Sequence, residues 1–135
     1  MVSEDGPLIL AVNHNRRNLD LLKQFLSEDG YRIVAASSLK ELGEALNAEQ
    51  HIELALVDVS GFDPGIWRHC EHMRIRQLPY LVLVSSKEAA GSLHQGCCHG
   101  ARYVLVKPMR KKELRLILNG CCRHHDEPDS TITGP

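Results

Sequence analysis

The sequence predicts an α/β fold in which short parallel strands alternate with helices. Two observations carry that expectation. Five short, mostly apolar runs recur along the chain, continuous as strands buried on both faces should be. Between them, apolar residues recur at helical spacing, and Gly, Pro, Asp and Ser punctuate the changes of rhythm. That alternation makes βαβ units, and hence a parallel sheet covered by helices on both sides.

The elements follow in order. Leu8 to Val12 (LILAV) is the first strand. Leu19, Leu22, Phe25 and Leu26 mark a helix closed by Gly30. YRIVAA is the second strand, and Ser38 to Glu41 has the form of a capping box, followed by Leu39, Leu42 and Leu46 on one face. Leu54 to Val59 (LALVDV) is the third strand, and GFDPG is a loop. Ile66 to Arg74 reads as a helix with Trp67, Cys70 and Met73 on a common face. Pro79 precedes the fourth strand, YLVLV. Lys87 to Gln95 is a weaker fourth helix ended by Gly96, and Tyr103 to Val106 is the fifth strand. Leu114, Ile117, Leu118 and Cys121 mark a fifth, last helix.

The 135 residues suit one domain with a real core, here residues 8–125. Residues 1–7 read as an N-terminal tail, and residues 126–135 (DEPDSTITGP) as a polar tail or the start of a linker to an output domain. Sixteen Lys plus Arg against 17 Asp plus Glu leave a net charge of −1, which argues against direct nucleic-acid binding by this domain. The apolar runs are too short to span a membrane or to serve as a signal peptide, so the expected location is cytoplasmic. Five cysteines, an odd number with two adjacent pairs, fit reduced thiols better than a disulfide scaffold.

Ligands of doubly wound sheets sit at the carboxyl ends of the strands. Here those ends carry Asn13 and His14 after strand one, Asp58 at strand three, Ser85 and Ser86 after strand four, and Lys107 and Pro108 after strand five. A carboxylate, a hydroxyl and an ammonium converging on one crevice suit phosphoryl handling. The carboxylate is a possible nucleophile, and the ammonium and hydroxyl are partners for a phosphoryl oxygen.

These residues, in this order and spacing, resemble the receiver domain of two-component response regulators. The resemblance runs from Leu8 to about His124 and rests on LALVDV with Asp58, LVLVSS with Ser85, GARYVLVKP with Lys107, and YRIVAASS after Gly30. It implies a (βα)5, flavodoxin-like fold with strand order 2-1-3-4-5. It also implies that Asp58 is the phosphoacceptor, that Ser85 and Lys107 line the phosphoryl pocket, and that Lys107–Pro108 is cis. A histidine kinase or other signalling protein is the implied partner, with a homodimer through the fourth and fifth helices as a further expectation.

The sequence also departs from the family. Two acidic residues normally end the first strand and help to hold Mg²⁺; this chain has Asn13 and His14. Magnesium prefers oxygen ligands, largely carboxylates, so an amide and an imidazole are poor replacements. Asp58, the Ser60 backbone carbonyl and water would remain as ligands. The family's switch aromatic maps to Val104, and the proline four residues past the phosphoacceptor maps to Phe62. The expectation is therefore a divergent, pseudo-receiver type with weak Mg²⁺ binding and no other cofactor.

Other constellations have plainer readings. His69 and His72 form an HxxH pair without further ligands, read as solvated around an inward Cys70. Cys97 to His99 and Cys121 to His125 lack CxxC spacing; in the frame that the resemblance implies, Cys97 and Cys121 fall on inward helix faces and are read as small core residues, with thiol or metal chemistry as the alternative. Arg110 to Lys112, with Arg102 and Arg115 nearby, is read as a solvated basic face, with an acidic partner as the alternative. His14 is read as the neutral occupant of a lost metal site; a softer metal site with Asp58 is the rival.

No catalytic base, cofactor loop or substrate pocket is visible, so a signalling module is expected rather than an enzyme. The first reading is a receiver impaired in Mg²⁺-dependent phosphorylation that acts through protein contacts. The second is a working phosphoacceptor at Asp58. The third is a thiol or metal sensor on a receiver scaffold.

Overall fold

The computed structural model describes residues 6–48, 50–87 and 100–122. Strands β1 (Leu8–Val12), β2 (Arg32–Ala36), β3 (Leu54–Asp58), β4 (Tyr80–Val84) and β5 (Tyr103–Val106) form one sheet in the order β2-β1-β3-β4-β5. Every neighbouring pair is parallel. Helices α1 (Arg16–Ser27), α2 (Leu39–Asn47), α3 (Ile66–Ile75) and α4 (Lys111–Cys122) connect and cover it. Strand order and parallel pairing agree with the sequence expectation. Most of the fourth expected helix, Lys87 to Gln95, lies outside the described residues.

Strand alternation divides the core in two. Leu8, Leu10 and Val12 of β1 face one side with Ala55, Val57, Tyr80, Val82 and Val84. There α2 adds Leu42 and Leu46, and α3 adds Ile66, Cys70 and Met73. Ile9, Leu54, Leu56 and Leu81 face the other side, against Phe25 and Leu26 of α1 and Leu114, Leu118 and Cys122 of α4. The central strands are apolar throughout because both their faces are covered. Truncating such a side chain, Leu10→Ala for example, costs about 2–5 kcal/mol.

The helix ends are built from short-range signals. Asn15 caps α1, its side chain accepting from the Asn18 N–H at 3.0 Å. Ser38 caps α2 by accepting from the Glu41 N–H at 3.1 Å. The reciprocal arm of the expected capping box is shifted by one residue: Glu41 accepts from the Ser37 N–H at 2.7 Å. Helices α1 and α3 both end in Schellman motifs. In α1 the left-handed residue is Gly30, with Tyr31 N–H bonded to the Leu26 carbonyl. In α3 it is Gln77, at φ +62, with Leu78 N–H bonded to the Met73 carbonyl.

In the last helix Leu114 and Leu118 are buried as expected, with Ile117 and Cys121 packed partly buried beside them, and the cysteine that is fully inward is Cys122. Cys122 is 3% exposed while Cys121 is only half-buried. Cys97 lies outside the described residues. Polar contacts tie α4 to its neighbours: the Tyr31 hydroxyl donates to Asn119 Oδ1 at 2.6 Å, and Arg115 pairs with Asp29 at 2.7 Å. No helix among the described residues is long and apolar enough to cross a membrane.

Candidate functional site

Asp58 ends β3 in register with Leu83 of β4, at the carboxyl edge of the sheet. It is the buried polar residue of the described chain, 8% exposed. A carboxylate at that depth requires partners. Lys107, one residue beyond β5, supplies the largest: its Nζ donates to Oδ1 at 3.1 Å and to Oδ2 at 2.9 Å. The same ammonium donates to Ser60 Oγ at 3.0 Å, and the Ser60 N–H returns to Asp58 Oδ1 at 3.0 Å. Lysine has three N–H donors, and all three are thereby engaged. The Lys107–Pro108 peptide bond is cis.

Asn13 completes the group from the end of β1. Its Oδ1 accepts the backbone N–H of Asn15 at 2.8 Å. An N–H can only be met by the amide oxygen, so the orientation of the amide is fixed. Its Nδ2 therefore faces Asp58 and donates to Oδ2 at 3.3 Å. The loop into α1 thus uses the one Asn13 side-chain atom that could ligate a cation.

His14 is exposed and turned to the loop after Asp58. Its ring meets Phe62 edge-on at 5.4 Å and lies over Gly61, whose φ of +81 suits glycine. No hydrogen bond joins His14 to Asp58 among the described residues. Ser85 is half-buried one residue past β4, so the register sets it at the same edge, between the ends of β3 and β5. Val104 is half-buried against the core beneath α2 and α3, a small aliphatic residue at the switch position.

The donor set is a poor fit for Mg²⁺, a hard cation that wants several oxygen ligands. Among the described residues one carboxylate stands here, both its oxygens carry the Lys107 ammonium, and Asn13 turns a nitrogen toward it. The softer alternative fares no better. Among the described residues no three His, Cys, Asp or Glu side chains gather around a common point. Cys70 is fully buried, His72 is exposed, and burial with neighbouring His72 and Arg68 pushes the His69 pKa down.

Sequence reasoning missed two features. The Ser60 hydroxyl holds Lys107, whereas only the Ser60 backbone carbonyl was expected to matter. The basic residues also do not form one surface. Arg115 lies over the Phe25 ring at 4.9 Å and pairs with Asp29. Arg102 lines a different cleft, at the amino edge of the sheet. The Arg110 N–H is capped by Glu113 at 3.2 Å, which offsets the basic run at the start of α4.

No family model matches the chain. It is 30% identical over 118 residues to the transcriptional regulatory protein GltR of Pseudomonas aeruginosa, covering 84% of this chain and 48% of that protein. The chain spans about half the length of the curated relatives it matches. Among solved structures, it is similar to the non-phosphorylated HemR receiver domain of Leptospira biflexa, with 27% identity, TM-score 0.68, and coverage of 85% of this chain and 93% of that one. It is also similar to the receiver domain of a sensor histidine kinase from Pseudomonas aeruginosa, solved with magnesium coordinated in its active-site cleft. That match has 22% identity, TM-score 0.69, and coverage of 85% and 96%. Further structural neighbours include a response regulator receiver domain and a response regulator protein, and the curated relatives are transcriptional regulatory proteins and a protein described as response-regulator-like.

Proposed function

We propose that this chain, which has the receiver-domain fold of response regulators, is a signal-receiver module of a two-component or phosphorelay pathway. In this reading it is impaired in Mg²⁺-dependent phosphorylation and acts through protein contacts. The observation that carries the reading is the closed network at Asp58: Lys107 donates to both carboxylate oxygens and to Ser60, and Asn13 presents an amide nitrogen. Transfer to a carboxylate from an anionic donor requires the repulsion between them to be offset. In this chain Lys107 is the cation that does so. The acids that would add a metal are replaced by a neutral amide and a histidine turned to Phe62.

Partners in this reading are a histidine kinase or another signalling protein, and a second copy of the chain. An exposed apolar groove supports a contact surface: Val106 of β5 and Leu116 of α4 line it together and are both open to solvent. Relatives such as GltR are transcriptional regulators, which makes gene regulation the proposed output, through a segment other than this domain.

The test is mass spectrometry of the intact chain after acetyl phosphate and Mg²⁺. Little or no phosphoryl adduct is expected on the wild type, with a gain in the Asn13→Asp plus His14→Asp variant. Robust modification of wild-type Asp58 would favour the working phosphoacceptor instead.

A further inference from the structure

A cavity of about 240 Å³ lies between α1 and the start of α4, over the carboxyl end of the sheet. Drug-sized sites run from about 300 to 1,000 Å³, so this one suits a guest of one or two rings. Its lining is mostly apolar. Leu22 and Phe25 come from α1, Leu56 and Leu83 from the sheet, Met109 from the approach to α4, and Leu114 from α4 itself. Phe25 and Met109 give the lining its character, because an aromatic ring and a thioether both favour a flat ring as guest.

The polar side chains that reach the cavity are not alike. Asp58 is already matched by Lys107 at 2.9 Å. Asn13 has its oxygen on the Asn15 N–H and its nitrogen on Asp58. Asn18 is exposed and neutral. Lys111 is exposed and has no carboxylate within ion-pair distance among the described residues. Its ammonium stands over the Phe25 ring at 5.4 Å, which keeps the charge beside the cavity. The unmatched charge is therefore a cation next to an aromatic wall. An anion carried on a ring complements both, and a cationic guest would meet Lys111 as a like charge.

We propose that this cavity binds a small aromatic carboxylic acid, with its ring against Phe25 and Met109 and its carboxylate on Lys111. The ligand lies beside Asp58, at the edge of the sheet that carries the phosphoryl pocket. Binding there gives the domain an input that needs no phosphoryl transfer. The inference stands on the cavity and its charge, whether or not Asp58 accepts a phosphoryl group.

The experiment titrates the full 135-residue chain, followed by ¹⁵N NMR, with phenylacetate and 2-naphthoate and with their uncharged counterparts, phenylacetamide and 2-naphthamide. Saturable shifts are expected at the amides of Leu22, Phe25, Leu56, Leu83 and Lys111, with Gln77 and Arg102 at the far edge unmoved. Each acid should bind about fivefold tighter than its amide, the effect of one partly exposed ion pair. In Lys111→Gln, a change at an exposed side chain, the acids should fall to the level of the amides while the amides bind as before. The absence of saturable shifts at these positions with both acids would overturn the proposal. So would amides that bind as tightly as the acids, or a preference for the acids that survives in Lys111→Gln. The titration contains no phosphoryl donor, so its failure is distinct from a failure of the phosphorylation test.

Discussion

At the carboxyl edge of the sheet, Asp58 and Lys107 satisfy each other at 2.9 Å, and Ser60 and Asn13 occupy the donors and acceptors that remain. At the amino edge, Arg102 stands in an open cleft without a carboxylate partner among the described residues. The difference follows from depth. The Asp58 side chain is 11% exposed, so its charge would be costly without a counter-charge. Arg102 is solvated, so it can wait for a partner at little cost. A buried charge has its partner specified by the fold, whereas an exposed one leaves room for recognition.

The largest effect expected from this contrast is at Lys107. Lys107→Met leaves the Asp58 carboxylate with only the Asn13 amide and the Ser60 N–H. It should cost about 2 kcal/mol in urea unfolding, below the figure for fully buried pairs because Lys107 is partly exposed. Adding Asp58→Asn should restore most of the loss. A single substitution as mild as the double would break the comparison.

Next in size is Tyr31 at the amino edge. Burial, then the nearby Cys122, pushes its hydroxyl pKa up, so it stays a proton donor to Asn119. Tyr31→Phe should cost about 1 kcal/mol by thermal unfolding, from the loss of one hydrogen bond. A smaller effect of opposite sign is expected at Gln77. Its left-handed backbone suits glycine, so Gln77→Gly should stabilise by about 0.5 kcal/mol, net of glycine's larger entropy in the unfolded chain. An unchanged or lower stability would show that the Gln77 side chain adds contacts of its own.

The smallest effect is one of pH, back at the carboxyl edge. The Ser37 N–H and hydroxyl, with Arg16 adding to them, hold the Glu41 carboxyl below the usual carboxylate range. A lowered folded value means the stabilisation is present above the unfolded pKa and is lost as pH falls through the folded one. Wild-type stability should therefore drop more across that acidic window than that of Glu41→Gln. Parallel curves would remove Glu41 from the account.

The sheet was legible because its strands are continuous apolar runs, and a register of period two leaves one way to bury them. Asp58 and Lys107 were legible because strand ends converge once the order of a parallel sheet is known. Ser60 was not, since a loop serine beside the site looks like any turn residue until the lysine reaches it. The orientation of Asn13 was also hidden, because it depends on an N–H at Asn15 that only the path of the loop brings near. The basic cleft escaped for a related reason. Arg76 and Arg102 come from different crossovers, and the sequence alone groups Arg102 with the basic residues of α4.

The central claim is that Lys107 rather than a metal neutralises Asp58. Its most direct test is a Mg²⁺ titration of the wild-type chain, followed by the backbone amide shifts of Asp58, Val59 and Ser60. The account predicts no saturable change through millimolar Mg²⁺ in the wild type, and a saturable one in Asn13→Asp plus His14→Asp. Saturable shifts at those amides in the wild type would contradict it.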